Sequence, residues 1–287
     1  FWDWHQLSPE ELDEYLDKRV SQGYTVIQTQ VAASGRYNYA GDYCFGGDNH
    51  KDITQPLEPW WQHADIWMEK IREHGLYVAV GLSWIINHWN IAQHSEFSED
   101  DLYNYGKWVG ERYKDYNNII WLGLNECTYQ GVPEGKIKAV LNGIRDGDTG
   151  DKLVTLHPLE GSNASLWFVD VIEIYTWQTA RTMAPKVLPY LREVPPSTPA
   201  IEGSYTVWEA ISSDYNRDEI KPVIDLEAWY ENGPDDSPIN PTGARATAWH
   251  VRRRAWFTIL AGAFGHTYGA YELAYSVTGD SWRTALG

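Results

Sequence analysis

Cysteine is almost absent from this chain. The 287 residues hold two, Cys44 and Cys127. They show no metal-type spacing and no disulfide framework. Burial as free thiols is the expected state. A single Cys44 to Cys127 bridge is the alternative, because both follow strand-like segments. No apolar run reaches the roughly 18 residues that a membrane-spanning helix needs, and no signal peptide is visible at the N-terminus. The chain opens at Phe1 rather than Met, so upstream sequence, with any export signal, is expected to have been removed. Positive charge is scarce too: 23 Lys and Arg stand against 40 Asp and Glu, a formal net charge of −17. With no long basic run to offset it, this charge repels phosphate backbones and anionic bilayers. Nucleic-acid and membrane partners are therefore not expected. No Gly-rich phosphate loop follows any strand-like run, no cofactor is implied, and no HxH pair or HExxH run supports a metal site.

Aromatic residues, by contrast, are abundant, at 14% of the chain with 16 Trp and 19 Tyr. This exceeds what packing usually requires, and some are expected to form flat binding surfaces. The length fits one large α/β barrel as well as two smaller domains. The order of patterns argues for the barrel. "SPEELDEYLDKRVSQG" opens with Ser8 as an N-cap, Pro9 at the first helical position and Glu11 closing a capping box, and it ends at Gly23. A strand, "YTVIQTQV", follows. The grammar repeats in "WWQHADIWMEKIREHG", where Trp61, Ala64, Trp67, Met68 and Ile71 form a helical stripe before Gly75 and "LYVAVGLSW". A third unit has Ser98 as N-cap, Phe97 and Leu102 at staple spacing, and Leu102, Tyr105, Val109 and Tyr113 on one face, leading into "NIIWLGLNE".

Further apolar runs lie at 152–159, 171–177, 221–229 and 261–269, with helical patterns most evident at Lys136 to Ile144 and Ala244 to Leu260. Buried runs alternating with amphipathic helices imply a parallel sheet covered on both faces. These make seven strands, and a (β/α)8 TIM barrel has eight. Strand one is therefore expected just upstream of Phe1, with residues 1–287 forming a single truncated barrel domain and no accessory domain. A doubly wound open sheet is the alternative.

Active sites of this barrel sit at the C-terminal strand ends. The polar and aromatic residues there are Gln28 and Gln30, Trp84 with Asn87 and His88, Asn125 and Glu126, His157, Tyr175, Trp177 and Gln178, Asp225 and Glu227, and His266 with Tyr268. Two strands end in a glutamate. Paired carboxylates among aromatic and neutral hydrogen-bonding groups are what glycosidic bond cleavage requires. Asp225, two residues before Glu227, is expected on the same strand face, deeper in the barrel. Trp84, Trp89, Trp177 and Trp229 follow strand ends and suit stacking on sugar rings. Trp61, Trp67, Trp108 and Trp256 lie on helices and read as core. Each of His157, Gln178 and His266 reads equally as a satisfied structural group. Arg252 to Arg254 read as exterior ion-pairing residues with no function. Two long loops, 32–59 and 230–243, look substrate-facing.

The stretches "HQLSPEELDEYLDKRVSQGYTVIQ", "NIIWLG", "GDTGDKLVTLHP", "KPVIDLEAWYE" and "VRRRAWFTILAGAFGHTYG" resemble the glycoside hydrolases of family 140, the apiosidase-like catalytic domain, nearly end to end. The resemblance implies a retaining barrel enzyme acting by double displacement on a plant or microbial glycan. Its acid/base would follow strand four, at Glu126, and its nucleophile strand seven, at Glu227. Family members commonly end strand four in Gly-Gly-Asp, whereas this chain reads Leu124-Asn125-Glu126. That ending is closer to the Asn-Glu pair of the large clan of retaining barrel glycosidases, whose Asn holds a sugar hydroxyl. The departure reads as a change of specificity, and the acidic chain also argues against polyanionic pectic substrates. Secretion or a periplasmic location is expected of such an enzyme. Two other readings stay open: a non-catalytic carbohydrate-binding barrel, and a metal-dependent barrel hydrolase. The oligomeric state is not legible.

Overall fold

The computed structural model describes residues 4–82, 97–126, 133–159, 162–164, 168–179, 207–233, 245–275 and 281–284. The chain divides into two compact units, Phe1–Leu156 with Glu272–Gly287, and His157–Tyr271.

In the first unit, helix α1 (Pro9–Ser21) starts at the Ser8 capping box with Pro9 in its first turn, and Leu12, Tyr15 and Leu16 are buried. Strand β1 (Val26–Gln30) follows. Helix α2 (Glu58–Glu73) buries the expected stripe of Trp61, Ala64, Trp67, Met68 and Ile71, with Trp60 beside it. It leads through Gly75 into β4 (Tyr77–Gly81). Helix α3 (Glu99–Tyr113) has its own box, Ser98 with Asp101, and buries Leu102, Tyr105, Val109 and Tyr113. It leads into β5 (Ile119–Trp121). The three strands pair in parallel in the order β1-β4-β5. Each helix buries its apolar stripe, and each connection returns the chain to the same sheet edge, so the strands share one direction.

The run at 152–159 adds no regular strand. It touches β5 through a parallel bridge between Trp121 and Val154, with the Trp121 N–H donating to the Leu153 carbonyl at 2.8 Å. The loop after β1 is more ordered than its composition suggests. It carries an antiparallel pair, β2 (Phe45–Gly46) with β3 (Asp52–Pro56), and a turn in which buried Asn38 accepts from the Ala40 and Asp42 amides, both at 2.9 Å.

Helix α4 (Glu134–Gly147) lies against α3 at backbone contact distance. A Cβ added to Gly143 would sit 2.1 Å from the Tyr103 carbonyl oxygen, and one on Gly106 2.4 Å from that of Val140.

In the second unit the sheet order is β6-β7-β8-β9. Short β6 (Ser162–Asn163) is antiparallel to β7 (Tyr175–Gln178), while β8 (Val223–Asp225) and β9 (Gly265–His266) continue in parallel. Helices α5 (Val207–Tyr215) and α6 (Ala248–Leu260) belong to this unit. On α6 the buried residues are Val251, Arg254 and Thr258. This corrects two expectations. Trp256 is not core but 56% exposed, and Arg254 is not exterior but 9% exposed. Spacings of three and four residues put Arg254 on the inward stripe, and Trp256 falls outside that stripe. Two short helices, α7 (Tyr271–Tyr275) and α8 (Ser281–Thr284), complete the described chain. Among the described residues no helix is long and apolar enough to cross a membrane.

Candidate active site

In the first unit the candidate residues lie at the ends of β1, β4 and β5. Gln28 and Gln30 lie on one face of β1, opposite Ala79 and Gly81 of β4. Regular pairing of β5 stops at Trp121, and the chain turns through Gly123, whose φ is 56°. Only a glycine fits there: an added Cβ would lie 2.6 Å from Leu141 Cδ2. This turn delivers Asn125 over Gly81, where a Cβ on the glycine would come within 2.3 Å of Asn125 Oδ1. The missing side chain of Gly81 is thus the space that holds the Asn125 amide.

Asn125 is fully buried, and among the described residues neither its Oδ1 nor its Nδ2 has a hydrogen-bond partner. Buried amides are rarely left so, because each orphaned group carries its full desolvation penalty. Glu126 follows, half-buried and in the left-handed region with φ 50°. A non-glycine residue held there is strained, and such strain concentrates at functional sites.

In the second unit Glu227 lies two residues past Asp225, the last residue of β8. Its side chain is 12% exposed, and its Oε2 is 3.3 Å from Nε2 of fully buried His157. His157 Nδ1 is 3.1 Å from the Pro158 carbonyl oxygen. A carbonyl only accepts, so this nitrogen carries a proton. The ring therefore pairs with Glu227 as an ion when it is doubly protonated. Asp225 is completely buried and accepts from the Thr179 backbone N–H at 3.1 Å and from the Thr179 hydroxyl. Burial raises its pKa, opposed by Thr179, by the Arg254 charge and by the Glu227 backbone N–H.

His266, in register with Asp225, is pushed down to about 4 by burial and then by Arg254. It is neutral at physiological pH, and among the described residues neither ring nitrogen has a hydrogen-bond partner. The Trp229 indole N–H is likewise without one, with the ring 5.5 Å from that of His250. Tyr268 donates to Glu231 Oε2 at 2.7 Å, and Gln178 is buried at the end of β7.

Two residues expected at the sugar face lie elsewhere. The Trp177 indole is 4% exposed and donates to Asp214 of α5 at 2.7 Å, so it packs between strand and helix. Tyr175, two residues earlier and on the same face, sends its hydroxyl to the Glu219 carbonyl at 3.0 Å, beside the start of β8. Strand alternation explains both: a strand that turns Gln178 to one side turns Tyr175 and Trp177 to the other. Trp84, Asn87, His88, Trp89 and Cys127 lie outside the described residues. Cys44 is a buried free thiol whose pKa burial raises to about 12, so it is inert as a nucleophile. Among the described residues no three His, Cys, Asp or Glu side chains converge as a metal site.

Three contributors were missed from sequence. Gly81 had a signal, an isolated glycine inside a strand pattern, which marks close backbone approach. Arg254 was hidden in an arginine run, and Thr179 carried no signal.

A chain described as a glycoside hydrolase matches with a TM-score of 0.78 and 27% identity, over 100% of this chain and 65% of that one. A glycoside hydrolase family 5 protein from Bacteroides vulgatus ATCC 8482 matches with a TM-score of 0.75 and 29% identity, over 94% of this chain and 56% of that one. The chain thus spans less than two thirds of the length of either. A hyperthermostable endo-1,4-β-D-mannanase from Thermotoga petrophila RKU-1, at 14% identity and a TM-score of 0.57, covers 94% of this chain and 86% of its own. At that identity the likeness concerns the fold alone, the α/β barrel of these hydrolases. Among curated proteins none matches. The pattern of the apiosidase-like catalytic domain matches residues 2–287, and on that match the chain belongs to the apiosidase-like catalytic domain family.

Proposed function

We propose that this chain is the catalytic barrel of a retaining glycoside hydrolase, of glycoside hydrolase family 140, acting on a plant or microbial glycan without a cofactor. The observation that carries the reading is Asn125. A fully buried amide with both polar atoms unpartnered among the described residues, immediately before a strained glutamate, suits a ligand that both donates and accepts. Sugar hydroxyls do both.

In the first step Glu227 attacks the anomeric carbon while protonated Glu126 donates to the departing glycosidic oxygen. In the second, Glu126 as base takes a proton from water, which attacks the glycosyl-enzyme and frees Glu227. The His157 contact engages Glu227 Oε2, leaving Oε1 for attack. Gln28, neutral His266, Trp229 and Tyr268 are assigned to sugar contacts, together with Gln178, Trp84 and His88. The protein is assigned to the cell exterior or periplasm.

The test is reducing-sugar release from a glycan panel by the wild-type protein, by Glu126→Ala and by Glu227→Ala. Both variants are expected to lose about 10²–10⁴-fold or more in kcat while remaining folded. Added azide is expected to restore turnover of an activated aryl glycoside to Glu227→Ala as a glycosyl azide of inverted configuration. Full activity in either variant overturns its role. Glycan binding without cleavage by the wild type, across the panel, favours a carbohydrate-binding barrel instead.

A further inference from the structure

Glu227 stands beyond the ordered ladder of its strand. The last ladder bonds around β8 are the Leu226 N–H to the Trp177 carbonyl at 2.8 Å and the Thr267 N–H to the Asp225 carbonyl at 3.3 Å. The Glu227 backbone N–H is instead among the groups that favour the ionised form of the Asp225 carboxylate. The same carboxylate takes the Thr179 N–H and hydroxyl at the end of β7. One fully buried side chain therefore collects two donors from the end of β7, and Arg254 of α6 supplies the opposing charge.

A buried carboxylate is a costly way to fill space, and an apolar side chain of similar size would pack at less expense. It would also orphan both Thr179 donors. Asparagine keeps the shape, but its Nδ2 would face a donor with a donor. The arrangement makes sense where the backbone of the next residue but one must not move.

We propose that Asp225 is a positioning residue for the reaction: it ties the end of β8, two residues before Glu227, to Thr179 at the end of β7, so that its removal lowers turnover rather than substrate affinity. This rests on Glu227 being the nucleophile. A misplacement of about 1 Å at a reacting group costs on the order of 10²-fold in rate, whereas contacts made by sugar hydroxyls elsewhere in the site are left intact.

The experiment compares wild type, Asp225→Asn, Thr179→Val, Thr179→Ser and Glu227→Ala. It reads kcat and KM on the glycan cleaved in the panel, and amide hydrogen exchange of the peptide spanning residues 226–230. Expected are a fall in kcat of about 10- to 100-fold in Asp225→Asn with KM changed by less than about 3-fold, and faster exchange at the Glu227 amide without a general rise across the chain. Thr179→Val is expected to show a smaller loss that Thr179→Ser largely restores. The Thr179 pair gives the answer if Asp225→Asn does not fold. An inactive Glu227→Ala together with wild-type kcat, or unchanged exchange at residue 227, in the folded Asp225→Asn or Thr179→Val overturns the clamp alone. An active Glu227→Ala overturns the nucleophile assignment and the clamp with it.

Discussion

A histidine with both ring nitrogens shut from solvent makes a claim about acid stability. His266 as a whole is half-buried, but its two nitrogens are not accessible, and its pKa falls from 6.5 to about 4. Between those values the unfolded chain binds a proton that the folded chain refuses. Stability on this account is full above about pH 6.5 and is lost as the pH falls toward 4. The loss is about 1–3 kcal/mol. Urea unfolding at pH 7 and pH 4.5 is expected to show a smaller acid-induced drop in His266→Phe than in wild type. An equal drop in both means that the buried imidazole is not the group resisting protonation. At this scale residue type and strand end can be read from sequence: Asn125 and Glu126 follow β5, and Glu227 follows β8. The sequence did not show the phase of the alternation, so Trp177 and Gln178 were both assigned to the sugar face although neighbours on a strand point opposite ways.

The packing of α3 against α4 depends on glycines where most helices carry side chains. Gly106 and Gly110 on α3, and Gly143 and Gly147 on α4, each face a carbonyl oxygen of the other helix, 2.1–2.6 Å from where a Cβ would stand. A methyl group there meets backbone, which cannot step aside as a side chain does. Gly143→Ala is expected to destabilise by about 1–3 kcal/mol or more, read as a lower urea midpoint at unchanged slope. Gly135→Ala, at the start of α4, meets only the mobile end of Glu99. Helix propensity there favours alanine by up to about 1 kcal/mol, so this variant is expected to be neutral or more stable. If the two alanines behave alike, the close approach of the helices is not what these glycines serve. The helices themselves were legible because capping residues and apolar stripes are local signals: the Ser8 and Ser98 boxes both form. The β2–β3 pair and β6 were not, since they are held by contacts across a loop and by a neighbouring strand rather than by their own composition. The exposure of Trp256 belongs to the same class, because hydrophobicity alone does not say which face of α6 is covered.

Over the whole molecule the dominant quantity is charge. A net charge of −17 at neutral pH acts on any charged glycan before it reaches the site, over a range set by ionic strength: about 30 Å at 0.01 M salt and about 8 Å at 0.15 M. A neutral oligosaccharide does not feel this field. If the proposed activity includes both kinds of substrate, kcat/KM on a neutral glycan is expected to stay flat from 0.01 to 0.15 M salt, within a factor of about 2. On a polyanionic pectic fragment it is expected to rise several-fold, about 3- to 10-fold, because screening removes the repulsion that slows encounter. The measurement is the ratio of the two kcat/KM values across a salt series, so that general effects of salt on the enzyme cancel. A ratio that falls with salt instead means that local positive groups steer the anion despite the net charge. The inward Arg254 is already one cation placed against the global sign. The neutral glycans would then lose their standing as the expected substrate class.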